Sequence, residues 1–300
     1  MMKMRSLLFV PADNEKKLDK ARASTADVLI LDLEDSVAGS RKATAREMAS
    51  RYLRETRGAR TWQAFVRINP LSEPGALFDL ASVVGEGLDG VVLPKANGIE
   101  DVARLAYCLD VLEARCGIPV GRTRILTVAT ETAAAMLNMG GYAQSHPRLA
   151  AITWGAEDLS AALGASTNRE ADGMLSHAYL MARSMCLIAA AAARVSAIDT
   201  LHVDFRDAAG LEAACAESRR RGFTGRIAIH PDQVDIINRC YSPSEEDLAL
   251  ARAVIAAFAA QPDAGTVGID GRMYDRPHLV QAHKTLANAG PATTAGSSVQ

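Results

Sequence analysis

The sequence predicts an α/β protein built on a (β/α)8 TIM barrel. Eight short apolar runs recur along the first 231 residues, and helix-like stretches separate them. The runs repeatedly end on a charged residue or on proline. Eight parallel strands alternating with helices close into a barrel, and the carboxyl ends of those strands build the active site. Because a core gains nothing from charges gathered at one rim, this recurrence predicts an enzyme.

The predicted strands are short and aliphatic, as the buried strands of a parallel sheet are. They are Ser6–Pro11, Val28–Glu34, Ala64–Asn69, Gly90–Lys95, Ile125–Thr130, Leu149–Gly155, Ala197–Val203 and Ile227–Pro231. Several of the stretches between them place apolar residues three and four apart, which predicts amphipathic helices. The predicted helices are Asn14–Arg22, Arg41–Glu55, Ile99–Arg115, Thr132–Leu137, Gly173–Arg194, Gly210–Arg220 and Gln233–Cys240.

After the eighth strand the sequence predicts a helical extension. Ser244–Asp247 has the spacing of a capping box and begins a helix that runs to about Ala260. Gly268–Asp275 is predicted to be a loop or a short hairpin, and a last helix follows Pro277. We therefore expect a barrel over residues 1–240, C-terminal helices over 241–289 and a disordered tail over 290–300.

Composition and charge exclude several classes of function. The 300 residues are 49% hydrophobic with a formal net charge of −2, and the pI is near 6.3. These values argue against nucleic acid or a membrane surface as the main partner. The apolar run Ser6–Val10 is too short for a secretory signal, and no apolar stretch approaches a membrane span. Five cysteines without a C-x-x-C pair indicate reduced thiols in a cytoplasmic protein.

The segment Met174–Arg194 is apolar over most of its circumference. A helix of this kind is either deeply buried or lies at a subunit interface. The sequence thus allows a homo-oligomer without requiring one.

Two carboxylates follow neighbouring predicted strands, Glu131 after the fifth and Asp158 after the sixth. Two acidic side chains facing one space suit Mg²⁺, which keeps waters and completes its shell with substrate oxygens. Glu157 competes with Asp158 for the ligand role, and Gly155 indicates a close approach of backbone to ligand. The alternative is a pair of solvated or helix-capping acids.

Charged residues at the second to fourth strand ends predict a polar site around these carboxylates. Arg67 can clamp a carboxylate or an enolate oxygen, or it can form a rim salt bridge to Glu34 or Asp35. Lys95 is a candidate Schiff-base amine, but the surrounding carboxylates should keep it protonated. Asp32, Glu34 and Asp35 are expected to orient Arg67, Lys95 and metal-bound waters.

Three further residues are candidates for substrate contacts. His230 precedes a proline at the last strand end and is expected to touch substrate, although it can also be a structural hydrogen bonder. Lys16 and Lys20 are four residues apart and share one helix face. That face either anchors phosphate groups at the mouth of the site or is simply solvated.

Several of these segments together resemble the citrate lyase β-subunit-like (HpcH/HpaI aldolase) superfamily. The matching segments run in order over about residues 5–285. They are Arg5–Pro11, Leu31–Asp35, Val66–Asn69, Leu93–Lys95, Glu131–Thr132, Gly155–Leu159 and Ile229–Pro231. The chain is similar to the malyl-CoA and citramalyl-CoA lyases of this superfamily, and three more segments most resemble citramalyl-CoA lyase. These are Asp13–Lys20, Gly164–Glu170 and Asp204–Asp207.

The resemblance implies a Mg²⁺-dependent barrel, commonly a homotrimer, that makes or breaks a carbon–carbon bond next to a thioester. It implies that Glu131 and Asp158 are the metal ligands and that Arg67 contacts the substrate. It further implies that Asp275 is the catalytic aspartate of a C-terminal lid that reaches a neighbouring subunit. The residues expected to bind substrate or CoA are Phe9, Lys16, Lys20, Arg67, Lys95, Glu131, Ile229 and His230.

The expected reaction is cleavage of a 3-hydroxyacyl-CoA to acetyl-CoA and a 2-oxo acid. One alternative is an aldolase or lyase that acts on free 2-oxo acids without CoA; Lys16, Lys20 and the lid bearing Asp275 count against it. The other alternative is a non-catalytic CoA-binding barrel subunit. The presence of the acidic residues, the predicted metal ligands and Arg67 together argues against it. The sequence does not distinguish pyruvate, glyoxylate and oxaloacetate as the 2-oxo acid.

Overall fold

The computed structural model of the chain describes residues 2–289. The described residues fall into two compact units. One unit is Met4–Asn238, and the other contains the residues from Arg239 onward together with those before Met4. The predicted tail over 290–300 lies outside the described residues.

Eight parallel strands of the first unit form a closed barrel in sequence order, and β1 pairs with β8 to close it. This confirms the predicted (β/α)8 fold. The strands are β1 Ser6–Pro11, β2 Val28–Asp32, β3 Gln63–Arg67, β4 Gly90–Leu93, β5 Arg124–Val128, β6 Leu149–Thr153, β7 Ser196–Asp199 and β8 Gly225–Ala228. Most predicted strands extend too far at their C-terminal ends, because the residues just beyond several strands, such as Leu33, Ile68 and Ala129, are apolar and buried like those of the strands themselves.

Helices α1 to α8 lie between these strands, and α9 follows β8. They are α1 Glu15–Ala21, α2 Lys42–Thr56, α3 Gly75–Val83, α4 Ile99–Arg115, α5 Ala133–Asn138, α6 Ala156–Leu163, α7 His177–Ala193, α8 Ala208–Arg221 and α9 Val234–Tyr241. Two of them, α3 and α6, have no counterpart among the predicted helices. Side-chain oxygens fix several helix starts: Thr132 accepts from the Ala135 backbone N–H, and Asp207 accepts from that of Gly210.

The strands are buried on both faces, which explains their continuous apolar sequences. All five residues of β2, Val28–Asp32, are buried. Packing between neighbouring strands is tight: a Cβ added to Gly90 would lie 2.2 Å from the Phe65 ring, its register partner on β3. The strands thus form a rigid wall that fixes the directions of the side chains at its rim.

The C-terminal unit contains α10 Glu245–Ala260, the antiparallel strands β9 Thr266–Ile269 and β10 Arg272–Asp275, and α11 Arg276–Asn288. The predicted loop or hairpin is thus a hairpin. Its turn residues Asp270 and Gly271 both have positive φ, 49° and 76°, the geometry that Asp-Gly favours in two-residue turns. Apolar residues of α10, β9 and α11 form the core of this unit: Ala251, Val254, Phe258, Val267 and Ala282.

Candidate active site

Charged side chains from five consecutive strand ends meet at the C-terminal rim of the barrel. Asp32 and Arg67 are the last residues of β2 and β3, and they are register partners. Lys95 follows β4, Glu131 follows β5, and Asp158 lies in the first turn of α6, after β6. Because β2 to β6 are neighbours in the barrel, residues that are far apart in the sequence form one cluster.

Arg67 is held in a fixed orientation by acidic neighbours. Its Nε donates to Asp32 Oδ1 at 2.7 Å and its terminal nitrogen to Asp32 Oδ2 at 2.6 Å, a bidentate pair. A second terminal nitrogen lies 2.9 Å from Glu34 Oε2, and Asp35 is at 3.7 Å. The salt bridges anticipated to Glu34 or Asp35 are therefore present, but Asp32 is the principal partner.

The electrostatics of this pair follow from burial and contact. Burial alone would lower the pKa of Arg67, but the hydrogen bond and charge of Asp32 hold it well above its usual range. Burial of Asp32 acts to raise its pKa, and the Arg67 hydrogen bond more than offsets this, so the pKa stays below its ordinary value. Both groups are therefore charged at neutral pH.

Lys95 links the acidic residues on both sides of it. Its backbone is in the left-handed region, with φ 49°, and its backbone N–H donates to Glu131 Oε2. Its Nζ lies 2.5 Å from Glu34 Oε1 and 3.3 Å from Asp158 Oδ1. Burial lowers the pKa of Lys95, but the hydrogen bond to Glu34 and the nearby carboxylates raise it above its usual range overall. A protonated amine cannot form a Schiff base, so Lys95 acts as a cation.

Glu131 and Asp158 differ in exposure. Glu131 is 4% exposed, and burial, with added repulsion from Asp158 and Glu34, raises its pKa to about 8. The Asp158 side chain is 33% exposed. Gly155 makes room for the buried carboxyl: a Cβ there would lie 2.9 Å from Glu131 Cγ. The close approach inferred at Gly155 is thus to the side chain of Glu131.

The donor set of this cluster fits a divalent cation. Five carboxylates (Asp32, Glu34, Asp35, Glu131 and Asp158) surround two cationic side chains, those of Arg67 and Lys95. Carboxylate oxygens are the ligands that Mg²⁺ prefers, and a bound divalent ion would favour the ionised form of Glu131, whose pKa is raised in its absence. Within residues 2–289, no three His, Cys, Asp or Glu side chains converge as a metal cage. At a Mg²⁺ site with one or two protein carboxylates, water and substrate oxygens complete the coordination shell.

The match to known proteins identifies the family. The sequence profile of HpcH/HpaI aldolase/citrate lyase matches residues 5–231. This chain belongs to that family. It is 34% identical over 296 residues to a (3S)-malyl-CoA thioesterase of Cereibacter sphaeroides, covering 98% of this chain and 97% of the other. It is 37% identical over 287 residues to a citrate lyase subunit beta-like protein of Mycobacterium tuberculosis, covering 96% of each.

A solved structure supports the same conclusion. The crystal structure of CitE from Mycobacterium tuberculosis in complex with magnesium, acetoacetate and coenzyme A superimposes with a TM-score of 0.74 at 34% identity. The match covers 96% of this chain and 98% of that one. The resemblance to the HpcH/HpaI family is therefore confirmed, and the chain is an enzyme of the CoA-ester lyase group.

The remaining residues implied by the family lie at different places on the rim. The Phe9 ring packs against Arg67, whose guanidinium carbon is 4.7 Å from the ring centroid. Lys16 and Lys20 are exposed on α1. Ile229 is 38% exposed. Phe9 thus contacts the interior charge cluster, whereas the two lysines and Ile229 present themselves to solvent.

The His230 side chain caps the turn that follows β8, and its contact with substrate stays a prediction. Its ring stacks on Phe205, with centroids 4.7 Å apart, and its Nδ1 accepts from the Asp232 backbone N–H at 3.3 Å. Glu157, the rival metal ligand, accepts a hydrogen bond from the Asn168 side chain at 3.0 Å. Asp158 is the one of this pair that lies beside Lys95.

Asp275 belongs to the C-terminal unit. It ends β10 and caps α11, with its side chain accepting from the His278 backbone N–H. The His278 hydrogen bond lowers the pKa of Asp275 below its ordinary value. His278 was not among the residues that the sequence singled out, although its place three residues after a helix-capping aspartate is a recognisable signal.

Other supporting residues were also missed. Lys42 donates to the carbonyl oxygens of Leu33 and Glu34, each at 2.7 Å, and to Asn69 Oδ1 at 2.8 Å. Asn69 also donates to the fully buried Asp79. These contacts hold the loop that carries Glu34. Only the helix α3, which was not predicted, brings Asp79 to this position.

A cavity of about 440 Å³ lies beside α6, between α7 and α8. Its charged groups are paired internally: the buried Asp199 accepts from Arg183 at 2.8 Å and from Arg226 at 2.7 Å, and from the Trp154 indole at 2.7 Å. With these charges already satisfied, the unbalanced carboxylates at the rim are the better candidate for chemistry.

Proposed function

We propose that this chain is a Mg²⁺-dependent carbon–carbon lyase that cleaves a 3-hydroxyacyl-CoA to acetyl-CoA and a 2-oxo acid. The substrate would be citramalyl-CoA, malyl-CoA or citryl-CoA. One observation carries the proposal: the buried Glu131 and the half-exposed Asp158 share one rim with the fixed cations Arg67 and Lys95. CoA and a keto acid bound to the related CitE support the substrate class.

Glu131 and Asp158 would hold the Mg²⁺ ion. When bound, the ion supplies positive charge that lowers the pKa of a substrate hydroxyl and orients the adjacent carboxylate. Gly155 keeps the Glu131 side chain in place for this role, since any larger residue would displace it. Lys95, between the two carboxylates, fixes their spacing through its backbone N–H and its Nζ.

Arg67 would stabilise the negative charge that develops on the thioester oxygen. The substrate hydroxyl would lose its proton to solvent water and its oxygen would become the carbonyl of the 2-oxo acid as the carbon–carbon bond breaks. The electron pair of that bond forms the enolate of acetyl-CoA, which needs preorganised donors. The bidentate contact with Asp32 sets the plane of the guanidinium before substrate arrives. Asp275 would then donate a proton to the enolate carbon, a step that typically contributes about 10²–10⁴-fold to the rate.

The test is a substrate panel. The pure protein is incubated with Mg²⁺ and with citramalyl-, malyl- and citryl-CoA, and with the free hydroxy acids, while 2-oxo acid and free thiol are followed separately. We expect 2-oxo acid and acetyl-CoA from at least one CoA ester and none from the free acids. Release of thiol without 2-oxo acid would instead indicate thioester hydrolysis, the activity named for the Cereibacter sphaeroides relatives.

Matched variants test the metal ligands. Asp158→Asn and Glu131→Gln keep side-chain size but remove a charge, so each should abolish Mg²⁺-dependent cleavage and weaken Mg²⁺ binding measured by calorimetry. Glu157→Gln is the control, because that side chain binds Asn168, and it should keep its activity. Loss of Mg²⁺ binding in Glu157→Gln with retention in Asp158→Asn would reverse the assignment.

We also propose that the protein acts as a homo-oligomer, a trimer or a multiple of it, in the cytoplasm. The α7 residues Met181 and Ile188 are 52% and 61% exposed and lie two turns apart on one face. An apolar stripe of this kind supports subunit contact. Cys108, Cys116 and Cys186 are free thiols, which supports a reducing compartment. No helix within residues 2–289 is long and apolar enough to cross a membrane.

A further inference from the structure

A histidine contacts the carboxylate to which the proposed function assigns proton transfer. His278 Nδ1 lies 2.5 Å from Asp275 Oδ1. The same nitrogen lies 3.2 Å from the Asp275 backbone N, and the His278 backbone N lies 3.4 Å from Asp275 Oδ1. The two residues are the N-cap and third position of α11, so helix geometry fixes their separation.

The contact at 2.5 Å requires a proton. Two lone pairs at that separation repel each other, so the contact is a hydrogen bond when either the imidazole nitrogen or the carboxyl oxygen carries a hydrogen, and the tautomer decides which of them does. When the proton leaves, the Nδ1 lone pair can accept from the Asp275 backbone N–H instead. His278 Nδ1 therefore has a partner in either protonation state, and the pair can give up and regain a proton without leaving a polar atom unsatisfied.

The other groups around this pair do not compete for the proton. The Tyr274 ring packs edge-on against the His278 ring, with centroids 5.4 Å apart. Arg276 donates to the Pro262 carbonyl and lies over the Phe258 ring of α10. The rest of that end of α10, from Ala253 to Ala260, has no charged side chain, and β9 has no titratable one. The side chains of Asp275 and His278 are 39% and 52% exposed, so water can reach both.

We propose that His278 is a positioning residue that supplies Asp275 with the proton delivered to the enolate carbon. This inference rests on the proposed function, because it needs Asp275 to be the acid. The proton passes from His278 Nδ1 to the Asp275 carboxylate. The enolate electron pair then forms the new C–H bond while the carboxyl O–H bond breaks, leaving a carboxylate beside a neutral imidazole. The imidazole regains its proton from water. In the reverse direction the unprotonated pair accepts a proton from the acetyl-CoA methyl group.

Two substitutions separate this role from helix capping. Glutamine at the third helix position can still reach back to the N-cap backbone N–H, so His278→Gln keeps the cap but cannot carry the proton. His278→Ala removes both the capping contact and the group that carries the proton. His283→Gln, an exposed change on the same helix, is the control. The readouts are kcat and KM for the CoA ester from low to high pH, exchange of acetyl-CoA methyl hydrogens in D2O with Mg²⁺ followed by NMR, and thermal stability.

For His278→Gln we expect kcat to fall about 10–100-fold with KM within about 2-fold of wild type, and methyl exchange to slow in parallel. The alkaline limb of its kcat profile should move to lower pH, because the proton of the pair is then held by a carboxyl group alone and no longer by an imidazole, whose ordinary pKa is higher. A His278→Gln enzyme with wild-type kcat and pH profile would overturn the inference and leave the proposed function standing. A wild-type protein that neither cleaves a CoA ester nor exchanges acetyl-CoA hydrogens would overturn both.

Discussion

At the scale of single residues, the site depends on how closely backbone and side chains approach each other. Glu131 is a buried carboxyl whose position is set by a glycine on one side and by the Lys95 backbone on the other. Arg67 is set by Asp32. Glu131 and Arg67 are therefore each oriented by a neighbouring residue before substrate binds. Substitutions of those neighbours should change binding or rate without unfolding the barrel.

Gly155→Ala tests this dependence. Its φ of −118° suits any residue, but the new Cβ would lie 2.9 Å from Glu131 Cγ and push the carboxyl away. We expect the Kd for Mg²⁺ to rise about 10–100-fold, measured by isothermal titration calorimetry, with little change in Tm. Gly140→Ala, which meets no atom within 4 Å, should bind normally. An unchanged Kd in Gly155→Ala would show that Glu131 is not a ligand.

Lys16 and Lys20 are exposed on α1, where contacts to remote phosphates would bind substrate and transition state alike. Replacing both with alanine should raise KM for the CoA ester several-fold and leave kcat nearly unchanged. The effect should shrink as salt rises, because screening weakens exposed charge contacts. Lys17→Ala, on the same helix, is the control. If KM does not rise at low salt, the two lysines form only a solvated face.

At the scale of elements, the two ends of the barrel use charge differently. At the N-terminal end, the fully buried Glu113 near the end of α4 accepts from the Gly121 and Thr123 backbone N–H groups and from Arg148, which precedes β6. Burial acts to raise the pKa of Glu113, but these hydrogen bonds lower it to about 2. The buried carboxylate is fully hydrogen-bonded there, as expected for the end of a barrel that contributes stability rather than chemistry.

Glu113→Gln should therefore lower the free energy of unfolding at pH 7 by about 3 kcal/mol, measured by urea denaturation. A carboxyl with a depressed folded-state pKa stabilises above its unfolded value, near 4.5, and loses that contribution as the pH falls towards about 2. The difference between wild type and variant should shrink over that range. Glu47→Gln, at an exposed position of α2, should change stability by less than about 0.5 kcal/mol. A difference that stays constant with pH would contradict the linkage.

The sequence predicted the strands well because each is a short aliphatic run that no helix pattern matches. It did not predict α3 or α6, since α3 leaves Leu77 and Phe78 exposed and α6 is a short helix that begins with Glu157 and Asp158. The charged rim positions were predictable from where the runs end. Their pairing was not, because contacts such as Asp32 with Arg67, 35 positions apart, depend on register between strands.

At the scale of the whole molecule, the chain divides its proposed chemistry between two units. The groups that would hold metal and substrate lie in residues 4–238, and Asp275 and His278 lie in the unit that begins at Arg239. Whether Asp275 serves its own barrel or a neighbour's is open to a direct experiment. Asp275→Asn and Glu131→Gln protomers, each inactive alone, can be mixed under conditions of subunit exchange.

If the lid serves a neighbouring subunit, hybrid oligomers should recover up to roughly one quarter of wild-type activity, because that share of sites combines an intact barrel with an intact lid. Activity would be followed as 2-oxo acid release, and exchange would be checked by mass spectrometry of the oligomers. Wild-type protomers mixed with either variant give the control for exchange itself. Demonstrated exchange without recovery would place Asp275 in its own chain's site or outside catalysis.

Closure of the barrel between β1 and β8 also constrains how the protein is made. Ser6 pairs with Arg226 and Leu8 with Ala228, so the first strand leaves the ribosome long before its partner exists. At about 5–20 residues per second, the intervening chain takes roughly 10–40 s to synthesise. For that time β1 presents an unpaired edge of aliphatic residues, the kind of edge that joins other chains. The nascent protein should therefore depend on chaperones until its eighth strand has emerged.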